Sequence, residues 1–214
     1  MTHSLHRYGT EQSLENDYTF IGRAMKREGF EANLQKVFEI ILSEGPENIG
    51  CSSLQKSSAA GVDPKDIAAS FNKTLRFACS FSSREKVNRV LKKLKEADAG
   101  VSIVIGGLIK EIMEMSKANG LTPHTANVSL GIFGRKKSFL PEEDVLCITT
   151  MCGHGMISAK LTKTVMEKVR SGKLSSKEGS RILAKNCPCG LLNLTRCEDL
   201  FSLSERKSVP STEL

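Results

Sequence analysis

Between Gly100 and the pair Gly106-Gly107 lies Val101-Ser-Ile-Val-Ile105, a short β-branched run best suited to a buried strand. Leu108, Ile109, Ile112 and Met113 follow at helical spacing, and Asn119-Gly120 supplies a C-terminal stop. A strand that passes through a glycine turn into a helix commits the chain to a sheet with helices packed on it. The same unit recurs downstream. Val145-Leu-Cys-Ile-Thr-Thr-Met151 reads as a strand, and it leads through Cys152-Gly-His-Gly155 into a helix carrying Ile157, Leu161, Val165 and Val169. Between these units, Thr125 to Phe133 is rich in β-formers and is followed by the charged turn Arg135-Lys136-Lys137, which predicts one more strand.

The region before Gly100 reads as mainly helical. Leu34, Val37, Phe38 and Ile41 hold helical spacing from Glu31 to Ser43, and Gly45-Pro46 stops that helix. Asp63-Pro64 is an N-cap with proline at the first helical position, ahead of a stripe of Ile67, Phe71, Leu75 and Ala78. Ser82 and Glu85 pair as a capping box before Val87, Val90, Leu91 and Leu94. Ser175 and Glu178 form another, opening a helix that ends before Cys187-Pro188-Cys189-Gly190. Residues 1–30 are polar and mixed, which predicts an arm with one helical turn around Ile21 to Lys26. Residues 204–214 have nothing to bury and predict a disordered tail. The expected fold class is therefore α/β: a small three- or four-stranded sheet with flanking helices and a mainly helical N-terminal region. Residues 31–203 form its single domain, and strand-helix-strand connection lengths favour α/β over segregated elements.

A chain of 214 residues with 39% hydrophobic composition can bury one sizeable core. No stretch approaches the roughly 18 consecutive apolar residues of a membrane helix, and no apolar segment follows the charged N-terminus. A cytoplasmic protein without membrane association is expected. The net charge is +7, but basic and acidic residues are interleaved, and Lys92, Lys93 and Lys95 read as a solvated helix face. With 5% aromatics and no reading motif, nucleic acid is not an expected partner.

Seven cysteines are an odd number and too few for a disulfide scaffold in a chain of this length. Cys51 and Cys79 read as small buried hydrophobes. Strand alternation puts Cys147 on the face opposite Cys152 and assigns it to the core. Cys152 differs, because it stands between a strand end and a helix N-terminus, where amides and the helix dipole favour a thiolate. Gly153 and Gly155 allow close approach of a ligand to the main chain. A tight turn with an exposed histidine is the plain alternative. Cys187-Pro-Cys189 places two thiols that can hardly bridge each other but can face one pocket, with Cys197 close behind.

The expected site, within 147–197, holds metal through Cys152, Cys187, Cys189 and Cys197, with His154 as an alternative fourth ligand. The Cys-x-Cys spacing is unusual for zinc, and irregular loops commonly hold iron–sulfur clusters, so a [4Fe–4S] cluster is expected first and zinc second. His154 and His124 are candidate acid–base residues. Gly153, Gly155, Asn193 and Arg196 are candidate contacts to a bound group. These readings predict a redox or lyase enzyme with a small anionic substrate or an electron-transfer partner. The rivals are a zinc-stabilised interaction module without catalysis and a metal-free thiol enzyme using Cys152.

Overall fold

Tyr18 and Phe20 alternate with Thr19 and Ile21, and this period of two sends the aromatic rings to one face of a strand and Ile21 to the other. The computed structural model describes residues 6–129 and 137–207, and it places this segment as β1 (Tyr18–Arg23). With β2 (Asn48–Cys51), β3 (Lys56–Ser57), β4 (Arg76–Phe81) and β5 (Ser102–Gly106) it builds one antiparallel sheet of order β3-β2-β4-β1-β5. Phe20 pairs with Cys79 and Ile105, and Ile49 pairs with Cys79 from the other side.

A short helix α1 (Glu11–Leu14) precedes β1, the helix α2 (Phe30–Ser43) connects β1 to β2, and α4 (Arg84–Ala97) connects β4 to β5. In each of these units the two strands run parallel, with an antiparallel strand of the other unit between them. This is a split β-α-β arrangement. Strand-helix-strand units are thus present, though upstream of the ones expected, and the molecule is a mixed α/β protein. The sheet has five strands rather than three or four, because β1 to β4, all within the region expected to be mainly helical, escape the sequence signals.

Each miss has a physical cause. The expected helical turn at Ile21 to Lys26 is instead the end of β1 and the residues after it. The stripe Ile67, Phe71, Leu75, Ala78 does not form one helix. Asp63 caps α3 (Pro64–Ala68) as expected, donating no hydrogen but accepting one from the Lys65 amide at 2.8 Å, yet β4 begins at Arg76. Phe77, Cys79 and Phe81 face one core while Ala78 faces the other, so β4 is buried on both sides and shows neither polar alternation nor β-branching. The expected strand at 145–151 is the helix α6 (Glu143–Cys152). Val145, Ile148 and Cys152 repeat at helical period, and Glu143 and Asp144 suit a helix's first turn, which outweighs the strand propensity of Ile148 and its threonine neighbours. Residues 125–129 form no strand, and 130–133 lie outside the described residues. The tail expected from residue 204 is helical to Lys207, and the remainder also lies outside them.

One face of the sheet is covered by α2, α4 and α5 (Ile109–Ala118). Its core holds Tyr18, Phe20, Phe38, Phe71, Phe77 and Phe81. The other face, carrying Ile21 and Ala78, is covered by α6, α7 (Ala159–Arg170), α8 (Ser176–Ala184) and α9 (Leu194–Lys207). The cysteines of the expected site lie in this second layer. No helix among the described residues is long and apolar enough to cross a membrane.

Candidate metal centre

The sulfurs of Cys152, Cys187 and Cys189 all lie within 4.8 Å of one another. Cys187 Sγ and Cys189 Sγ are 3.4 Å apart. The three residues are 0%, 0% and 3% exposed. The end of α6 and the Pro188 turn therefore stand side by side, and three buried thiols converge on a point that can hold a metal.

Local sequence explains both arms. After α8 the Cys187 amide donates to Ala184 O at 2.8 Å and the Gly190 amide to Cys187 O at 3.2 Å, so residues 187–190 close a tight turn. Gly190 holds φ +78, and a Cβ there would overlap the Gly50 nitrogen and the Ile49 carbonyl carbon of β2. Only glycine lets this turn lie flat against the strand. On the other arm, Gly153 caps α6 in the left-handed conformation at φ 67 and Gly155 follows at φ 70. The chain reverses around Cys152, so that the amides of His154 and Met156 donate to its sulfur.

Cys152 ends a helix rather than preceding one, so the helix dipole opposes a thiolate there. The thiols of Cys187 and Cys189 and the two loop amides do the stabilising instead, and they lower its pKa strongly despite burial. Cys187 and Cys189 shift upward, because each holds its proton toward Cys152. Leu192 adds an amide donor to Cys187 Sγ at 3.3 Å. Three sulfurs ringed by N–H donors suit negative charge and metal ligation.

The remaining expected residues divide. Cys197 is fully buried on α9, its thiol pushed up by burial, and it is not one of the three converging sulfurs. Cys147 also lies outside the group, as expected, but it is half-buried on a helix rather than in the core face of a strand. His154 is exposed, with Nδ1 3.1 Å from Cys152 O, and it lines a cleft of about 20 Å³ with Cys189, Ser52 and Arg76. That is room for about one water molecule. His124 is exposed in the stretch after α5 and is neither in the sulfur group nor on this cleft.

Asn193 and Arg196 bind the protein itself. The Asn193 side-chain amide nitrogen lies 3.0 Å from Asn16 O and 3.1 Å from Phe81 O, while its oxygen accepts from the Arg196 amide at 3.1 Å. Arg196 Nη1 stands 2.8 Å from Asp17 Oδ2, and both side chains are buried. Arg7 meets the same Asp17 oxygen at 2.8 Å and donates to the carbonyls of Met151 and Leu191. Its pKa is lowered first by burial, while Asp17, Cys187 and Cys189 act in the opposite direction. Sequence reasoning misses Arg7 and Asp17, since nothing local marks a polar N-terminal segment as the partner of residues more than 140 positions away. Neither a family model, nor a curated protein, nor a solved structure matches this chain.

Proposed function

We propose that this protein binds a single thiophilic metal ion, zinc by preference, between Cys152, Cys187 and Cys189. The observation that carries this reading is the convergence of three buried sulfurs within 4.8 Å. Thiolates sharing one tetrahedral ion stand roughly 3.8 Å apart when each metal–sulfur bond is about 2.3 Å, and Cys187 and Cys189 are at 3.4 Å. A [4Fe–4S] cluster takes each thiolate on a different iron, which spreads the sulfurs around a larger body. Their close approach favours one ion over the cluster. The ion ties the end of α6 to the turn between α8 and α9, and thiols kept available as ligands agree with a reducing, cytoplasmic setting. Protein purified without oxygen should contain one zinc per chain, and Cys187→Ser should lose it. Iron with acid-labile sulfide and absorbance near 400 nm would instead establish the cluster.

A second reading rests on the cleft beside Cys189. Catalytic zinc sites use three protein ligands and leave a fourth position for water or substrate, and here the cleft bears Ser52, Arg76 and His154. With room for about one water, the cleft would set a metal-bound water beside Arg76 with His154 as acid or base, which is Lewis-acid and not redox chemistry. Cobalt-substituted protein distinguishes the two. Azide changes its visible spectrum if the fourth position is open, and His154→Ala changes it without azide if His154 closes the site.

A further inference from the structure

Arg7 joins the two arms of the candidate centre. Its Nη1 donates to the carbonyl of Met151, the residue before Cys152, and its Nη2 to that of Leu191, two residues after Cys189. The side chain is 6% exposed and its Nε lies 2.8 Å from Asp17 Oδ2. A rigid guanidinium fork can span two carbonyls while pairing with a carboxylate; a lysine ammonium is a point donor on a flexible stem.

Charge makes the arrangement more specific. Asp17 Oδ2 takes both Arg7 and Arg196 at 2.8 Å, with side-chain exposures of 0%, 6% and 4%. Two cations on one carboxylate leave a single positive charge in a buried place, where an uncompensated charge is costly. A divalent ion held by three thiolates carries a single negative charge. A monovalent ion on the same ligands would carry two, and a trivalent ion none.

We propose that Arg7 is a positioning residue of the metal centre, and that its charge balances a divalent ion on the three thiolates. The inference rests on the single-ion reading above. It makes the N-terminal segment part of the site, because residues 7–17 dock through the same groups: the Tyr8 amide donates to Thr150 Oγ1 at 3.0 Å and Arg196 Nη2 to Tyr8 O at 2.8 Å. By linkage, ion binding and docking of this segment strengthen each other.

The test is zinc affinity of the full chain, stripped under reducing conditions and titrated against a chromophoric chelator. Arg7→Met should weaken zinc binding by about 10- to 100-fold, the usual range for a group supporting metal ligands. Arg7→Lys keeps the charge but not the fork and should fall between that variant and wild type. Val87→Ala, in the opposite core, controls for general destabilisation and should bind as wild type. Zinc should also slow proteolysis within residues 7–17 in wild type and not in Arg7→Met. Wild type that binds zinc while Arg7→Met binds equally well overturns the assignment of Arg7 alone. Wild type that binds no zinc removes the single-ion reading itself.

Discussion

On one face of the sheet Phe38 packs edge-on against Phe71 and Phe77, with ring centroids 5.2 and 5.1 Å apart, and Phe20 meets Phe81 at 5.6 Å. On the other face Phe201 is the one aromatic residue in the buried cluster among the described residues, and three thiols converge within that cluster. The first layer is closed by area and ring geometry, which act within the chain alone. The second joins short helices through a buried ion-pair triad and a sulfur pocket, and both depend on charge balance. The difference implies that one half of the molecule answers to core volume and the other, on the proposed reading, to a bound ion.

Stripping the proposed ion should expose this difference most strongly. Structural zinc contributes on the order of 10 kcal/mol in small domains, so chelation should raise hydrogen exchange in α6 to α9 far more than in α2 and α4. Uniform loss of protection in both layers would mean that they do not differ in this way. Phe38→Ala probes the opposite layer. Its ring is 1% exposed, and its removal should cost about 3–5 kcal/mol while zinc content stays unchanged. Urea unfolding with metal analysis reads both quantities, and loss of zinc from folded Phe38→Ala would show that the layers are not separable.

Gly190→Ala tests the seam between the layers. Left-handed strain of about 1–3 kcal/mol adds to overlap with β2, so the variant should be less stable and should also hold zinc less tightly. Wild-type affinity in a destabilised variant would show that the turn can move without disturbing the sulfurs.

These two layers were not equally legible in the sequence. The Ser175–Glu178 capping box and the Asp63-Pro64 cap are local patterns that start their helices in the expected place, whereas Ser83 rather than Ser82 caps α4, with Ser82 bonded to Glu47, and the Val101 to Ile105 run forms β5 as a half-exposed edge strand rather than a buried one. β1 and β4 were hidden because both their faces are buried, which erases the polar alternation that marks a strand. The meeting of Cys152 with Cys187 and Cys189 is legible from composition and turn chemistry, although the β-branched run at 145–151 points to a strand where α6 forms, and Cys152 sits in the last turn of that helix rather than at the start of the next. Cys187-Pro188-Cys189-Gly190 carried that part, since a proline between thiols and a glycine after them fix a turn whatever precedes it. Arg7 and Asp17 were not legible, because their role exists only once distant segments meet.

The smallest expected effect concerns a point on which the two layers should agree. Cys79 lies in the aromatic core and Cys197 in the thiol-bearing layer, both are fully buried, and burial raises the pKa of each. A thiol raised in the folded state binds its proton more tightly there than in the unfolded chain. Its contribution is fully present below the unfolded thiol pKa of about 8.5 and is lost as pH rises beyond it. Each should remove about 1.4 kcal/mol of stability per pH unit in that range. Cys79→Ala and Cys197→Ala should therefore each flatten the decline of stability between pH 9 and pH 10, whatever their cavities cost at pH 7. Urea midpoints across that range measure the slope. A flattening confined to Cys79→Ala would show that Cys197 is already ionised in the fold, and would bring it into the chemistry of the sulfur group from which its position now separates it.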